Sequence, residues 1–349
     1  MAKQVLVKVR PSASLILLAK DNSIAPSIFD YNALLLTRNS KSSFMPDSSV
    51  FPGGVCDAED SSPAWLKHFQ RYDIGAAKLR ELCPIASSLT DSSKETLNSA
   101  ISLRLSALRE TFEEMGILLC RDRKTLTSTD GYAQFNEQFD RKHWQHEVHN
   151  NPSKFLALCE ELDVLPDLWS LHEWSAWRTP STFKSRRFET TFFLTALKEQ
   201  PKVLSEPNEV KDYAWRSPLD YLKSAIKKQV WLPPPQYYEL SRCLNFQSLE
   251  QLRQFAQLRG AKCNVLIAQP VLYQCTDGIV QLLPGDDMYP DNPDASTDRI
   301  ETGLSTEAFR ALAKNNVNRT ENKDKYETRL LINYHLADGQ INPLDPKDF

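Results

Sequence analysis

Glu110, Glu113 and Glu114 lie beside Arg109 in the run Arg109-Glu110-Thr111-Phe112-Glu113-Glu114-Met115-Gly116-Ile117. On an α-helix the i, i+3 and i+4 offsets bring the three carboxylates onto neighbouring positions of one face. Like charges that close repel one another, so helix stability alone does not account for the arrangement. A hard divalent cation would offset the repulsion, and Mg2+ accepts carboxylates and substrate phosphates together. Arg109 can orient one carboxylate through a bidentate pair. Gly116 can close the helix in the left-handed conformation that glycine adopts without steric cost. The chemistry suggested is metal-dependent work on phosphate.

A solvated acidic face is the commonest reading of any charge run. A second element argues against it here: the upstream stretch Val50-Phe51-Pro52-Gly53-Gly54-Val55-Cys56-Asp57-Ala58-Glu59-Asp60. An apolar strand end runs there into paired glycines, which let a backbone approach a ligand or a helix closely. Together the two pieces resemble the Nudix box. Gly53, Gly54 and Asp60 supply its first half, and Arg109 to Gly116 its second. The sequence departs from the pattern twice. Asp60 stands where Glu is usual, and 48 residues (61 to 108) replace a short spacer.

That interruption resembles one branch of the Nudix hydrolases, the peroxisomal acyl-CoA diphosphatases. Further matches to that branch are Leu34-Leu35-Leu36-Thr37-Arg38, Phe44-Met45-Pro46 and Trp177-Arg178-Thr179-Pro180. Others are Arg186-Arg187-Phe188-Glu189-Thr190-Thr191-Phe192-Phe193 and Leu283-Pro284-Gly285-Asp286. The resemblance covers most of residues 8 to 290. It implies an α/β fold, a Nudix-type mixed-sheet α/β/α sandwich with an insertion in the box and a C-terminal extension. The expected division is a Nudix hydrolase domain over 1–260, with insertion 61–98 inside the split box 54–117. The extension, 261–349, is expected to pack on the same domain.

The resemblance also implies an activity, the Mg2+- or Mn2+-dependent hydrolysis of the diphosphate linkage of CoA or acyl-CoA. The products would be adenosine 3′,5′-bisphosphate and (acyl-)4′-phosphopantetheine. Glu110, Glu113 and Glu114 would hold the metal, and one of them or Glu209 would serve as base. Glu206 is the other loop acid that could take that role. The alternatives are a pyrophosphatase for a sugar nucleotide or dinucleotide, and a Nudix-fold binding protein with weak catalysis. Arg38, Lys184, Arg186 and Arg187 are the candidate substrate cations, with Lys41 and Arg178 nearby in the same segments. Arg suits bidentate phosphate contacts, and Lys184 to Arg187 is the dense basic run of the chain.

Composition narrows the partners. A net charge of −3 over 349 residues leaves no basic stripe of the kind that binds nucleic acid, so a small-molecule substrate is expected. Seven scattered cysteines without C-x-x-C spacing read as reduced thiols of an intracellular protein, not as a disulfide framework or a zinc site. No apolar run suits a signal peptide or a membrane span. A soluble protein of the cytoplasm or peroxisome is expected, although Pro346-Lys347-Asp348-Phe349 lacks a small-basic-leucine peroxisomal tripeptide.

The elements that must position these residues follow from pattern. Residues 8–20 and 32–38 read as strands. Ile101, Leu105, Leu108 and Phe112 give 98–115 an amphipathic helix, with the glutamates in its last turns. Helical spacing at 64–72 and 76–82, followed by Pro84 and several serines, makes the insertion a surface excursion. Residues 131–165 read as helical, and His143, His146 and His149 as an exposed face of that segment. Strands are expected over 169–177, 188–197 and 213–215. A helix should start at Pro218, Trp231 to Pro235 should be an extended stop, and 236–258 should be helical. Two strands should flank Asp277-Gly278, and a last apolar alternation spans 326–336. The tryptophans are expected in the core.

Overall fold

A computed structural model describes residues 7–22, 27–82, 90–91, 96–126, 130–260, 265–336 and 338–349. In chain order the first elements are β1 (Val9–Lys20), β2 (Tyr31–Arg38), β3 (Ser49–Val50), β4 (Gly53–Val55), α1 (Ala64–Gln70) and α2 (Ala76–Arg80). There follow β5 (Thr90–Asp91), β6 (Thr96–Leu97), α3 (Ser99–Met115), β7 (Leu118–Arg121), β8 (Phe135–Asn136), α4 (Arg141–Asn150), α5 (Lys154–Glu161) and β9 (Leu165–Pro166). Then come β10 (His172–Arg178), β11 (Arg187–Leu197), β12 (Val210–Arg216), α6 (Pro218–Ile226), α7 (Pro234–Cys243) and α8 (Leu249–Gly260). The last are β13 (Ile267–Ala268), β14 (Val271–Cys275), β15 (Gly278–Leu282), β16 (Ile300–Glu301), α9 (Thr306–Arg310), β17 (Asn318–Asn322) and β18 (Thr328–Ile332).

The main sheet runs β12-β2-β1-β11-β10-β13, with β3 on β2 and β4 on β1. It is mixed: β1 lies parallel to β11 and antiparallel to β2 and β4. Side chains alternate along a strand, so a sheet covered on both faces needs apolar residues at every position. β1 shows this directly. Leu15, Leu17 and Ala19 enter one core, with Ile101, Leu105 and Phe112 of α3 and Phe155 of α5. Ile16 and Leu18 enter the other, with Leu222 of α6, Leu240 of α7 and Leu252 of α8. The result is the α/β/α sandwich that the box resemblance implies.

A second sheet, β16-β14-β15-β17-β18, carries most of the C-terminal segment. Its own apolar cluster is small, Val280, Leu282 and Phe309 with Cys275. Much of its anchoring is polar. Arg319 clasps Asp286 at 2.7 and 2.6 Å with both side chains fully buried. Arg259 of α8 pairs with Asp338 at 3.0 Å, and the Gln340 amide donates to the Trp174 carbonyl at 2.7 Å. Glu239 of α7, also fully buried, accepts the indole N–H of both Trp174 and Trp177 and is countered by Arg242.

Several elements differ from the sequence reading. Phe135 lies in a strand, because β7 and the Ala196 carbonyl take up the backbone of 133–136 and helix starts only after the Asp140 cap. The proline run is extended only to Pro233; Pro234 and Pro235 open α7, where a missing N–H costs nothing. The helix expected over 236–258 breaks at 244–248 into α7 and α8. The insertion is more than a surface excursion: Trp65, Phe69, Tyr72 and Leu79 are buried in the α3-side core. Pro84, Ser87, Ser88, Ser92 and Ser93, which marked it as loop, lie outside the described residues.

Candidate active site

α3 carries the acidic face. The Asn98 side chain caps its start by accepting the Ala100 N–H at 2.8 Å, and it ends at Gly116 with φ of 64°. A side chain at Gly116 would be strained by that φ and would press on Leu204, whose N–H bonds the Met115 carbonyl. The end of α3 is thereby stitched to the 203–209 loop; the Glu206 N–H likewise donates to the Glu114 carbonyl at 2.9 Å. Gln145 of α4 donates to the Glu113 and Leu204 carbonyls at 2.8 and 2.7 Å.

The two halves of the split box meet. Arg109 donates to both oxygens of Asp60 at 2.8 Å and to Glu113 at 2.6 Å, with Glu110 at 3.0 Å. Arg109 and Asp60 are each 2% exposed. Burial works against the Arg109 charge, but Asp60 and the two glutamates outweigh it and hold the guanidinium firmly protonated. The Gly53 N–H donates to the Glu114 carboxylate at 2.8 Å. At Gly54 a Cβ would collide with the Glu110 carboxylate. The excursion of 48 residues thus returns the chain to the same place, as the slow growth of loop-closure entropy with length permits.

These carboxylates are electrostatically unsettled. Burial pushes Glu110 up to about 8 against the pull of Arg109, with repulsion from Glu113 and Asp60 adding to the rise. Glu113 is raised by burial, and Glu114 is raised strongly by burial and by the charge of Glu110. Among the described residues no three His, Cys, Asp or Glu side chains converge as a metal cluster; Arg109 holds Glu113, and the Gly53 N–H bonds Glu114. The donors nonetheless fit a hard cation: all are oxygens, and their charge lacks a full counterweight. Carboxylates must shed protons to bind a cation. The rise in melting temperature caused by Mg2+ should therefore grow as pH is raised towards about 8, where Glu110 is half-ionised and a bound cation no longer has to displace its proton, and level off above that. A rise that is independent of pH would place the cation elsewhere.

Of the loop acids, Glu209 is exposed, yet its charge is felt by both Glu113 and Glu114. Glu206 instead bonds Asn208. His143 and His146 are exposed as expected, whereas His149 is half-buried with Nδ1 3.9 Å from Glu113. The sequence reading placed His149 on an exposed face and did not single out Gln145; the two share a face of α4 four residues apart. That spacing was visible, but which side α4 turns to α3 was not.

Beside the box opens a cavity of about 910 Å3 between the main sheet and the C-terminal sheet. Gly53 and Gly54 line it, as do the cations Arg38, Arg178, Lys184, Arg186 and Arg299. Arg38 Nε is buried without a hydrogen-bond partner among the described residues. Arg178 is held by Glu189, Lys184 reaches Asp298 at 2.6 Å, and Arg186 reaches Ser43 at 2.7 Å. Phe44 packs against Phe183 and Phe188 at the same wall. Arg187 does not join them. It is 1% exposed, bonded to the Thr179 carbonyl and Asp294, and turned from the cavity because β11 alternates its side chains. Lys41 is exposed and does not line the cavity. Arg299, which does, sits in a polar stretch with no sequence signal of its role.

Gly54→Ala is an inexpensive probe of this geometry. The added methyl meets the movable end of Glu110, so the fold should persist while Glu110 is displaced. Activity should fall at least about tenfold, as befits a displaced electrostatic group, with the melting temperature little changed. Unchanged activity would remove Glu110 from the site.

Comparison with known proteins agrees with the geometry. The family model for the NUDT19 Nudix domain matches residues 9–243, and that for the NUDT19 C-terminal domain matches residues 272–333. The chain is 38% identical over 332 residues to acyl-coenzyme A diphosphatase NUDT19 of Xenopus laevis, covering 90% of this chain and 86% of that one. It is also 38% identical over 298 residues to the Homo sapiens protein of the same name, covering 81% and 78%. Among solved structures, a Nudix hydrolase from Alicyclobacillus acidocaldarius shares the fold with a TM-score of 0.55 at 20% identity, covering 72% of this chain and 97% of that one. Among the described residues no helix is long and apolar enough to cross a membrane. Membership of the Nudix superfamily implies hydrolysis that depends on a divalent metal, and this chain belongs to it, in the NUDT19 family of Nudix hydrolases.

Proposed function

We propose that the protein hydrolyses the diphosphate linkage of CoA or acyl-CoA, releasing adenosine 3′,5′-bisphosphate and (acyl-)4′-phosphopantetheine. One observation carries the reading. Gly53 and Gly54 touch Glu114 and Glu110 on one side and line the large cationic cavity on the other. A diphosphate in that cavity would therefore abut the acidic helix. The names of the NUDT19 relatives support CoA esters as the substrate class.

In this reading Glu110, Glu113 and Glu114 hold Mg2+ or Mn2+. Bound there, the metal supplies Lewis-acid polarisation of the diphosphate and activation of the attacking water. Arg109 and Asp60 keep the carboxylates in place. Glu209 takes the proton from water; the influence of its charge on both Glu113 and Glu114 supports it over Glu206. Arg38, whose Nε has no partner among the described residues, meets a diphosphate oxygen, and Lys184 and Arg186 meet the 3′-phosphate. Residues 261–349 pack on the Nudix domain of 1–260 and close the cavity, a division supported by Leu272, Ile279 and Arg299 in its wall. An intracellular site of action is supported by the free thiols Cys56, Cys120, Cys159, Cys243 and Cys275; Cys83 and Cys263 lie outside the described residues.

Comparing kcat/KM for CoA, dephospho-CoA and ADP-ribose tests the substrate class. CoA should be preferred, and Arg186→Ala should raise KM for CoA while leaving dephospho-CoA, which lacks the 3′-phosphate, nearly unaffected. A preference for ADP-ribose or a dinucleotide would assign the site to another nucleoside diphosphate.

A further inference from the structure

One residue of the cavity wall has no role in the reading above. Gln236, in the first turn of α7, is 7% exposed and lines the cavity, yet its Oε1 is buried with no hydrogen-bond partner among the described residues. Apolar residues share that cavity wall: Trp177 and Phe192 from the main sheet, Pro235 next in sequence, and Leu272 and Ile279 from the C-terminal sheet. A buried amide oxygen left unpaired destabilises the free protein, so its presence in a cavity wall points to a partner brought by a ligand.

The chemistry of the cavity says which part of a ligand that is. Phosphates belong with the cations and the box. A segment lying among Trp177, Leu272 and Ile279 must be largely apolar, and it must offer a donor to Gln236. An aliphatic arm interrupted by amides meets both demands; a second sugar or base, with its many hydroxyls or ring nitrogens, would leave polar groups unpaired there. We propose that Gln236 is a specificity-determining residue whose side-chain amide pairs with an amide of the pantetheine arm, held between the main sheet and the C-terminal sheet. The proposal rests on the CoA reading and adds a role for α7 and the C-terminal sheet. A site built to bond a polar group rejects analogues lacking it far more strongly than an apolar pocket rejects a change of size.

The test uses Gln236→Met, which keeps the length and removes the amide. KM for CoA and the inhibition constant of 4′-phosphopantetheine should each rise about tenfold. Inhibition by adenosine 3′,5′-bisphosphate and kcat should change less than about twofold, and the melting temperature should not fall, because an orphaned polar atom has been removed. A structural role would instead lower the melting temperature and weaken both product halves alike, and that result overturns the proposal. Should the variant not fold, wild-type protein is challenged with a 4′-phosphopantetheine analogue whose amides are esters: binding about tenfold weaker supports the proposal, and equal binding overturns it. Turnover of CoA by the wild type separates the two levels. Its absence removes the functional reading and the subsite with it, whereas CoA turnover with an unchanged KM in Gln236→Met removes the subsite alone.

Discussion

Glu114→Gln will lower turnover by roughly a hundred- to a thousand-fold, the scale seen when one preorganised electrostatic group is removed from an active site. The substitution keeps the shape and deletes a charge. Glu114 is 3% exposed and its carboxylate accepts the Gly53 N–H at 2.8 Å; a glutamine can still accept that bond through its oxygen. Its charge is held in an unfavourable place, raised in pKa by burial and by Glu110. Neutralising it therefore relieves the metal-free protein, whose melting temperature should stay level or rise. Loss of activity together with a gain in stability separates a metal-holding role from a structural one. Turnover within about twofold of wild type would remove this carboxylate from the metal site.

The second large effect is on stability. Arg109→Met leaves Asp60, 2% exposed, without its bidentate partner, and frees Glu113 and Glu110 to repel. Removing one partner of a buried ion pair costs about 3–5 kcal/mol, because the remaining charge is buried and uncompensated. Denaturant titration should show that loss. Adding Asp60→Asn to Arg109→Met should recover part of it, since the stranded charge is then gone and the two substitutions are coupled through direct contact. Full additivity would mean that the pair does not join the two box halves.

Much of this was legible in the sequence because it is local. The spacing of Glu110, Glu113 and Glu114 fixes a helical face wherever the helix lies, and the glycine at 116 ends it with a φ of 64°. The alternating fates of Leu15, Ile16, Leu17 and Leu18 follow from strand geometry, once both sheet faces are covered. What escaped depends on contacts distant in the chain. Phe135 joins a strand because β7 offers it a backbone ladder. The aromatic residues of the insertion pack inward because α3 and α5 present apolar surface to them. Arg187 was grouped with Arg186 on charge, but adjacent residues entering a strand face opposite ways. Gln236 and Arg299 carry no local signal; each becomes visible only when the C-terminal sheet closes over the main one.

In the proposed function this acidic helix and this cavity cut one bond, the diphosphate of CoA. Purified protein with Mg2+ and CoA, followed by mass spectrometry of the products, tests it most directly. Adenosine 3′,5′-bisphosphate and 4′-phosphopantetheine should appear in equal amounts, and both should vanish with Glu114→Gln or on removal of the metal by a chelator. Cleavage elsewhere in the molecule, or intact CoA beside rapid cleavage of a sugar nucleotide or dinucleotide, would contradict it.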